Sequence, residues 1–597
     1  MYFDKRNKDG LILNVEATKI GKEISDFSFE RLSKSQVYKI LIKELCKESI
    51  DNYFKTFFYL KSFPYAHRII LAINENFDNS KQKKFINIKY CKNQFYLTKF
   101  LEKKKLNFSK NFILKEEYKK IIKLIISFRR LFNRGFARFK RIIKKENLNQ
   151  NFKIGVSFKT GVDKNKDSDL YWYDKQQFNK EDLLIYFESN FFKHRFERSG
   201  EGEKFDYSKF NAVDLSDFFY DREGTFFKSL INKIKCIKDS KEEIFLAQIA
   251  LKLIRNVEFW YYFFKKFKVK IHFDSEEMNL NKLEKQISLR ILNACMIGRV
   301  RSYITKGVYD FMGTLSADVN FVNQKDVADR LLNHSFNFSN YVLITGDTNN
   351  VFTIKNKDEL DLIKKKISSS HKSFVILVLD SNFSENSDPD IDQLVTPEYF
   401  EKFYNQIIEY TEENDDTFLI IKSKKRDIIS KNKNIYDKLL ELEKKNRCHI
   451  VRDPFRKFPY LYASISNFIV STGSLLPSAL IDCANRGKKG IFCDYPNLAS
   501  VEKDIYKFKD NLIVKDLKKL KGVINKFKLE YPNTKIGDWS LINGMVHAFN
   551  DDKGYQRASK FVNSLLGEFK RNLSRSEALK NAIDQYEKEF GVQNTFY

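Results

Sequence analysis

Few of the residues that build metal centres or disulfide frameworks occur in this chain. Its 597 residues include 7 cysteines, 7 histidines, 8 prolines and 3 tryptophans. No two cysteines are spaced as C-x-x-C, and no two histidines have the spacing of a helical metal site. This pattern favours reduced thiols over a disulfide frame or a zinc site, and we expect neither metal nor cofactor.

Long apolar runs are also missing from the sequence. The start, MYFDKRNKDG, has no apolar core of signal-peptide length, and no run reaches the roughly 18 apolar residues of a membrane-spanning helix. Apolar residues still make up 42% of the chain and aromatic residues 15%, which predicts a folded protein. We therefore expect a cytoplasmic protein, either free or peripheral at the inner face of the cytoplasmic membrane.

Acidic residues are outnumbered. Lys and Arg number 107 against 78 Asp and Glu, a formal charge of +29, which indicates an anionic partner such as nucleic acid, a lipid surface or phosphorylated substrates. Between Leu101 and Gln150 sixteen Lys or Arg face four Glu. Apolar residues three or four apart from Leu114 to Ile143 predict a basic amphipathic helix, which could lie on an anionic membrane or pack on the next domain.

Strand-like and helix-like segments alternate from Lys153 onward, which favours an α/β protein with mainly parallel sheets. The strand-like segments fall into two sets, and the second set begins at Tyr341–Thr345. We predict two tandem Rossmann-like domains over residues 151–335 and 336–540, with a ligand cleft between them. A basic, largely helical N-terminal region over 1–150 precedes them, and a helical tail over 541–597 follows and braces the first domain.

The segment Ile465–Asn497 is the most informative part of the chain. Its apolar run Phe468–Val470 precedes Ser471, Thr472, Gly473 and Ser474, and a helix is predicted from Leu475. Hydroxyls and free backbone N–H groups at a helix N-terminus can hold a phosphate. The alternative is an ordinary βαβ unit in which Ser and Thr only cap the helix.

Several phrases of this sequence resemble GT-B glycosyltransferases, in particular the bacterial transferases of surface-carbohydrate and capsule-polysaccharide biosynthesis. The phrases are GVDKNKDSDLYWY at Gly161, FLIIKSKK at Phe418, PSALIDCA at Pro477, GKKGIFCDYPNL at Gly487 and IGDWSLIN at Ile536. Together they extend from Lys153 to about Tyr586. The resemblance implies a GT-B fold, a nucleotide-sugar donor in the second domain and a glycan or lipid-linked acceptor.

The resemblance also implies site residues. The turn Ser471–Ser474 would hold the donor phosphates, and three lysines after a neighbouring strand would add positive charge: Lys422, Lys424 and Lys425. Ser478 stands where many GT-B enzymes have a ribose-binding Glu, so Asp494 or Glu502 would serve instead. The base that takes the acceptor proton would be Asp163 first, Asp169 second and His272 third. Each of these has a structural alternative as a turn, a cap or a core residue.

Other readings of the sequence stay open. A CDP-glycerol-type polyol-phosphate transferase would use the same fold and basic surface. A single-stranded nucleic-acid-binding protein would account for the charge and the aromatic residues, but no ribonucleoprotein or helix-turn-helix signature is present, and we expect no nucleic-acid partner. The D-x-D pattern at Asp388, Asp390 and Asp392 lies in a Ser/Asn/Asp-rich stretch, which indicates a loop rather than a metal site.

Overall fold

A computed structural model gives the fold. The residues that it describes are 19–60, 86–89, 99–100, 103, 108–111, 153–158, 169–174, 177–188, 211–215, 218, 225–274, 280–300, 316–332, 339–346, 357–380, 397–424, 428–452, 459–473, 476–494, 503–542, 544–545, 549, 551 and 553–597.

The described residues of the N-terminal region include helices α1 to α3, a few helical residues near 100, and two short strands. These helices and strands are α1 (residues 19–33), α2 (Gln36–Glu44), α3 (residues 47–60), β1 (Ile86–Lys89) and β2 (Phe108–Asn111). Strands β1 and β2 pair in parallel with each other. The amphipathic helix predicted between Leu114 and Ile143 lies outside the described residues.

The first sheet has eight strands, and all but the last run parallel. Its domain contains β3 (Ile154–Phe158), β4 (Leu183–Phe187), β5 (Asn211–Asp214), α4 (Thr225–Lys235), α5 (Lys241–Lys266), β6 (Ile271–Phe273), α6 (Leu280–Ile291), β7 (Cys295–Arg299), β8 (Val319–Val322), α7 (Lys325–Leu332) and β9 (Tyr341–Ile344). The strands lie in the order β5-β4-β3-β6-β7-β8-β9. The order reverses between β3 and β6, as in a doubly wound Rossmann sheet.

The second sheet repeats this topology with six parallel strands. Its domain contains α8 (Lys357–Ser369), β10 (Phe374–Leu379), α9 (Pro397–Glu413), β11 (Thr417–Lys422), α10 (Ile428–Lys431), α11 (Lys433–Lys444), β12 (Cys448–Ile450), α12 (Pro459–Ser464), β13 (Phe468–Thr472), α13 (Ser478–Ala484), β14 (Gly490–Cys493), α14 (Lys503–Tyr506), α15 (Lys509–Leu512), β15 (Ile513–Val514) and α16 (Leu520–Glu530). The strands lie in the order β12-β11-β10-β13-β14-β15, with the reversal between β10 and β13. The prediction of two Rossmann-like α/β domains is confirmed.

The chain ends with α17 (Gly554–Lys570), α18 (Arg575–Phe590) and the short strand β16 (Thr595–Phe596). Helix α18 begins at a capping box, in which Ser574 and Glu577 each accept a hydrogen bond from the other's backbone N–H. Both helices pack on one face of the first sheet, and β16 adds to its edge antiparallel to β9. The C-terminal end of the chain therefore belongs to the core of the first domain.

Both faces of each sheet are covered. Helices α5 and α6 cover the face of the first sheet opposite α17 and α18, and α2 and α3 pack on α4, α5 and α6. In the second domain α8, α12 and α13 cover one face, and α9, α11 and α16 cover the other. Strands buried on both faces explain the continuous apolar runs of the sequence, such as FVILVL in β10.

The predicted start of the second domain is wrong. Tyr341–Ile344 pairs with β8 of the first sheet in parallel, with Val342 opposite Asn320. The strand pattern was correct, but an apolar run does not tell which sheet it joins, because pairing is decided by tertiary contacts. The second domain begins instead with α8, whose Leu360 and Ile363 pack in its core.

Candidate functional site: the carboxyl edges of the two sheets

The reversal of strand order places one crevice at the carboxyl edge of each sheet, and ligands of doubly wound domains bind there. In the second sheet β10 and β13 flank the reversal. Leu379 at the end of β10 lies opposite Lys422 of β11 on one side and opposite Ser471 of β13 on the other. Two strand spacings separate Lys422 from Ser471, so their backbones are about 10 Å apart.

Ser471 and Thr472 do not form the predicted phosphate-binding turn. They are the last residues of β13, and their side chains are 0% and 1% exposed. The Ser471 hydroxyl donates to the carbonyl of Leu379 at 3.2 Å, and the Thr472 hydroxyl donates to the carbonyl of Cys493 at 3.2 Å. Pairing with both neighbouring strands extends β13 through these residues, and their hydroxyls tie the three strand ends together.

The turn after β13 begins and ends later in the chain than predicted. Gly473 follows the strand directly, Ser474 lies outside the described residues, and α13 begins at Ser478 rather than Leu475. Pro477 is the N-cap and provides no side-chain cap. Ser478 is half-buried in the first turn of α13. Of the predicted phosphate-binding residues of this segment, Gly473 and Ser478 are therefore the described ones that lie outside β13.

The predicted donor-binding lysines and carboxylates of the second domain differ in how far they are exposed to solvent. Lys422 is 7% exposed and its ammonium donates to the carbonyl of Ser423 at 3.2 Å. Lys424 is exposed to solvent, and Lys425 lies outside the described residues. Asp494 directly follows β14 and is 5% exposed, whereas Glu502 lies outside the described residues. Of the three predicted lysines, Lys422 and Lys424 are therefore the described ones at this edge.

Asp380 is a residue of this edge that sequence reasoning missed. It directly follows β10 and accepts hydrogen bonds from the Tyr404 hydroxyl, the Ser423 hydroxyl and the backbone N–H of Lys424, each at 2.8 Å. Burial raises the pKa of Asp380 above its ordinary value, although these donors oppose the shift. Asp380 fixes the turn that carries Lys422 and Lys424. A carboxylate directly after a buried strand was the available signal.

The candidate bases predicted for the first sheet differ in position and exposure. Asp163 lies outside the described residues. Asp169 is described at the carboxyl edge, where it is 2% exposed and lines a small recess with Ser157, Asp274 and Arg299. The Arg299 guanidinium lies over the Tyr171 ring, 4.1 Å from its centroid. Asp169 is thus at the predicted edge but is almost wholly enclosed.

His272 is a core residue. It is 0% exposed, its Nε2 lies 2.6 Å from the Tyr186 hydroxyl, and its ring packs against Tyr186 and Phe264. Its neighbours on β6, Ile271 and Phe273, face the opposite side of the sheet toward α17 and α18. An imidazole enclosed in this way cannot reach an acceptor, so we do not retain His272 as a base.

A buried ionic triad, Glu188–Lys285–Asp274, lies at the same edge and was also missed. Glu188 follows β4, Asp274 follows β6, and β3 lies between these two strands. The Lys285 ammonium, from α6, donates to Glu188 Oε1 at 2.5 Å and to Asp274 Oδ2 at 2.7 Å. Glu188 also accepts from the Ser157 hydroxyl and the Asn281 amide, both at 2.8 Å.

The triad concentrates charge where water is largely excluded. The side chains of Lys285 and Asp274 are 0% exposed, and that of Glu188 is 18% exposed. Burial alone would lower the pKa of Lys285, but the carboxylates of Asp274 and Glu188 raise it above its ordinary value. Lys285 therefore stays charged and holds both carboxylates on either side of the end of β3.

Comparison with known proteins adds little beyond this geometry. No family model and no curated protein matches the chain. Solved structures with some likeness include S. aureus MnaA with UDP (12% identity, 70% of this chain and 97% of that one, TM-score 0.39). A variant of the wall teichoic acid polymerase TagF has 13% identity over 77% and 99%, with a TM-score of 0.42. Anabaena HepE with UDP and glucose has 9% identity over 73% and 99%, with a TM-score of 0.35.

The described residues contain neither a metal-binding cluster nor a membrane-spanning helix. Within the described ranges no three His, Cys, Asp or Glu side chains are grouped so that they could hold a metal ion. The D-x-D stretch at Asp388, Asp390 and Asp392 lies outside those ranges. No helix in the described part of the chain is both long enough and apolar enough to cross a membrane.

Proposed function

We propose that this protein is a GT-B-type glycosyltransferase that moves a sugar from a nucleotide-activated donor to a surface polysaccharide or a lipid-linked glycan. The observation that carries the proposal is the pair of tandem doubly wound sheets with different charged groups at their carboxyl edges. The second edge, with Lys422 and Lys424, suits the donor phosphates. The first edge, with its carboxylates, suits an acceptor hydroxyl.

The chemistry follows from these charges. The departing nucleoside phosphate gains negative charge in the transition state, and nearby ammonium groups stabilise that charge. This stabilisation would come from the ammonium groups of Lys422, Lys424 and Lys425 and from backbone N–H groups at and beside Gly473. The proposed reaction therefore needs no metal. Asp494 or Glu502 would bind the donor ribose. A carboxylate of the first edge would take the acceptor proton, and Asp163 remains the prediction from sequence.

The charge of the chain bears on the acceptor and on the location of the enzyme. The formal charge of +29 supports an anionic surface near the site of action. We therefore place the enzyme in a bacterial cytoplasm, peripheral at the inner face of the membrane, where capsule or other surface glycans are built.

The proposal is tested by thermal shift of the purified full chain with UDP, GDP, CDP, CMP and dTDP, each with and without EDTA. A ligand that binds only the native state raises the melting temperature. We expect one nucleotide to give an EDTA-insensitive shift that is lost in Lys422→Met and kept in Lys444→Met, an exposed lysine of α11. A shift with CDP alone would favour the polyol-phosphate reaction. No shift with any nucleotide would contradict the proposal.

A further inference from the structure

Glu188 differs from the other carboxylates described beside β3, namely Asp274 and Asp169. Its side chain is 18% exposed, whereas that of Asp274 is 0% exposed and Asp169 as a residue is 2% exposed. It also follows β4 directly, one strand away from the strand-order reversal. Of these three carboxylates, Glu188 is the one that a substrate can reach.

Other buried charges lie beside the triad. Lys282 on α6 is 1% exposed, and Arg299 and Asp169 in the adjoining recess are 3% and 2% exposed, so Lys285 is one of several buried cations here. Asp274 is wholly enclosed with Lys285, whereas the side chain of Glu188 is partly exposed. Glu188 is therefore the member of the triad that can meet a substrate hydroxyl and take its proton.

We propose that Glu188 is the general base of the transferase and that Lys285 and Asp274 are its positioning residues; this rests on the proposed function. The acceptor hydroxyl gives its proton to Glu188 as its oxygen bonds to the anomeric carbon of the donor sugar. The bond from that carbon to the phosphate oxygen breaks, and its electron pair leaves with the nucleotide. Ser157 and Asn281, through their hydrogen bonds to Glu188, fix its orientation. A single displacement of this kind inverts the anomeric centre.

The test compares Glu188→Gln with Glu181→Gln, an exposed glutamate before the opposite, amino end of β4. The full chain is assayed for nucleotide release from UDP-N-acetylglucosamine, UDP-glucose, GDP-mannose, CMP-N-acetylneuraminate and dTDP-rhamnose, with water as the acceptor. General-base catalysis contributes about 10²- to 10⁴-fold, so we expect kcat of Glu188→Gln to fall by that factor. Nucleotide affinity should change less than twofold, and Glu181→Gln should match the wild type.

The pH profile separates a base from a structural residue. The wild-type rate should rise with pH as Glu188 loses its proton and then level off, and Glu188→Gln should lose this rise. Glu188→Asp keeps the carboxylate but shortens the side chain by one methylene. It should therefore retain the rise of the rate with pH, at a reduced kcat. This second variant keeps the test decisive if Glu188→Gln fails to fold. Lys285→Arg should move the midpoint of the rise, as expected of a positioning residue.

The outcomes distinguish the two proposals. If the wild type binds nucleotide and cleaves a donor while Glu188→Gln keeps its kcat and pH profile, the assignment of Glu188 is overturned and the proposed function stands. The same holds if Asp163→Asn alone abolishes cleavage. If the wild type binds none of the nucleotides and cleaves none of the donors, both proposals are overturned.

Discussion

The carboxyl edges of the two sheets have the same topology and opposite chemistry. At the first edge, buried charges contact one another, as Lys285 does with Glu188 and Asp274. At the second edge, strand ends are held by hydroxyls bonded to backbone carbonyls, and the carboxylate of Asp380 accepts from three neutral donors. Buried ion pairs rarely add stability over apolar packing. The two edges therefore differ in how they bury polar groups: the first buries ion pairs, and the second buries neutral hydrogen bonds.

The largest effect on stability is expected of Lys285→Met. It leaves two buried carboxylates without their shared cation, which typically costs about 3–5 kcal/mol. The free energy of unfolding of the first domain, from urea denaturation, measures the loss. Lys228→Met, at an exposed position of α4, should change it by less than about 0.5 kcal/mol. A loss below 1 kcal/mol in Lys285→Met would show that the triad is not an interdependent ionic group.

Glu284, the neighbour of Lys285 on α6, is a buried carboxyl group where α6 contacts the N-terminal helix α3. It accepts from Asn256 at 2.9 Å and from the Tyr53 hydroxyl at 3.4 Å, and burial raises its pKa to about 7. Because its folded pKa exceeds the unfolded value of 4.5, its stabilising effect is present at acid pH and is lost as pH rises through about 7.

The Glu284→Gln variant removes that pH dependence. A shift of this size corresponds to up to about 3 kcal/mol, so the variant should be more stable than the wild type at pH 8 and similar to it at pH 5. Urea unfolding at both pH values measures the difference. Parallel pH dependence in the two proteins would contradict the burial of an ionisable group here.

At the second edge, Asp380→Ala tests the neutral network. The change leaves the Tyr404 and Ser423 hydroxyls and the backbone N–H of Lys424 without their acceptor, at a cost of about 2–3 kcal/mol. We expect the loss in the unfolding of the second domain, together with a smaller nucleotide-induced thermal shift. Asp415→Ala, whose side chain is 95% exposed, is the control and should have little effect. An unchanged nucleotide shift in Asp380→Ala would separate this turn from the donor site.

The smallest effect is expected where the chain returns to the first domain. Arg557 forms a bidentate pair with Asp551, at 2.8 Å for both bonds, and its Nε donates to the carbonyl of Thr345 at 2.6 Å. The hydrogen bond from Arg557 lowers the pKa of Asp551 to about 2. This contribution is present above pH 4 and is lost as pH falls through about 2.

Asp551→Asn should therefore cost about 1 kcal/mol at neutral pH, since Asp551 is partly exposed. The variant should also be cut faster than the wild type near residue 551 in limited proteolysis. Equal cleavage rates would show that the pair does not hold this segment.

Much of the fold could be predicted from sequence because parallel strands buried on both faces are continuous apolar runs. The apolar runs Phe468–Val470 and Tyr341–Thr345 coincide with β13 and β9. The sheet joined by Tyr341–Ile344, and the inclusion of Ser471 and Thr472 in β13, depend on pairing with distant strands. The triad was hidden for the same reason, because 97 residues separate Glu188 from Lys285. The signal that recurs is a carboxylate placed directly after a buried strand, as at Glu188, Asp274 and Asp380.

The division of labour between the two edges is tested most directly by calorimetric titration of the full chain with the nucleotide that stabilises it. We expect Lys422→Met to weaken nucleotide binding by about tenfold or more, because a charge-assisted contact is worth about 1.5–3 kcal/mol. Glu188→Gln should bind nucleotide as the wild type does. Weakened binding in Glu188→Gln with unchanged binding in Lys422→Met would contradict the assignment of donor and acceptor to the two sheets.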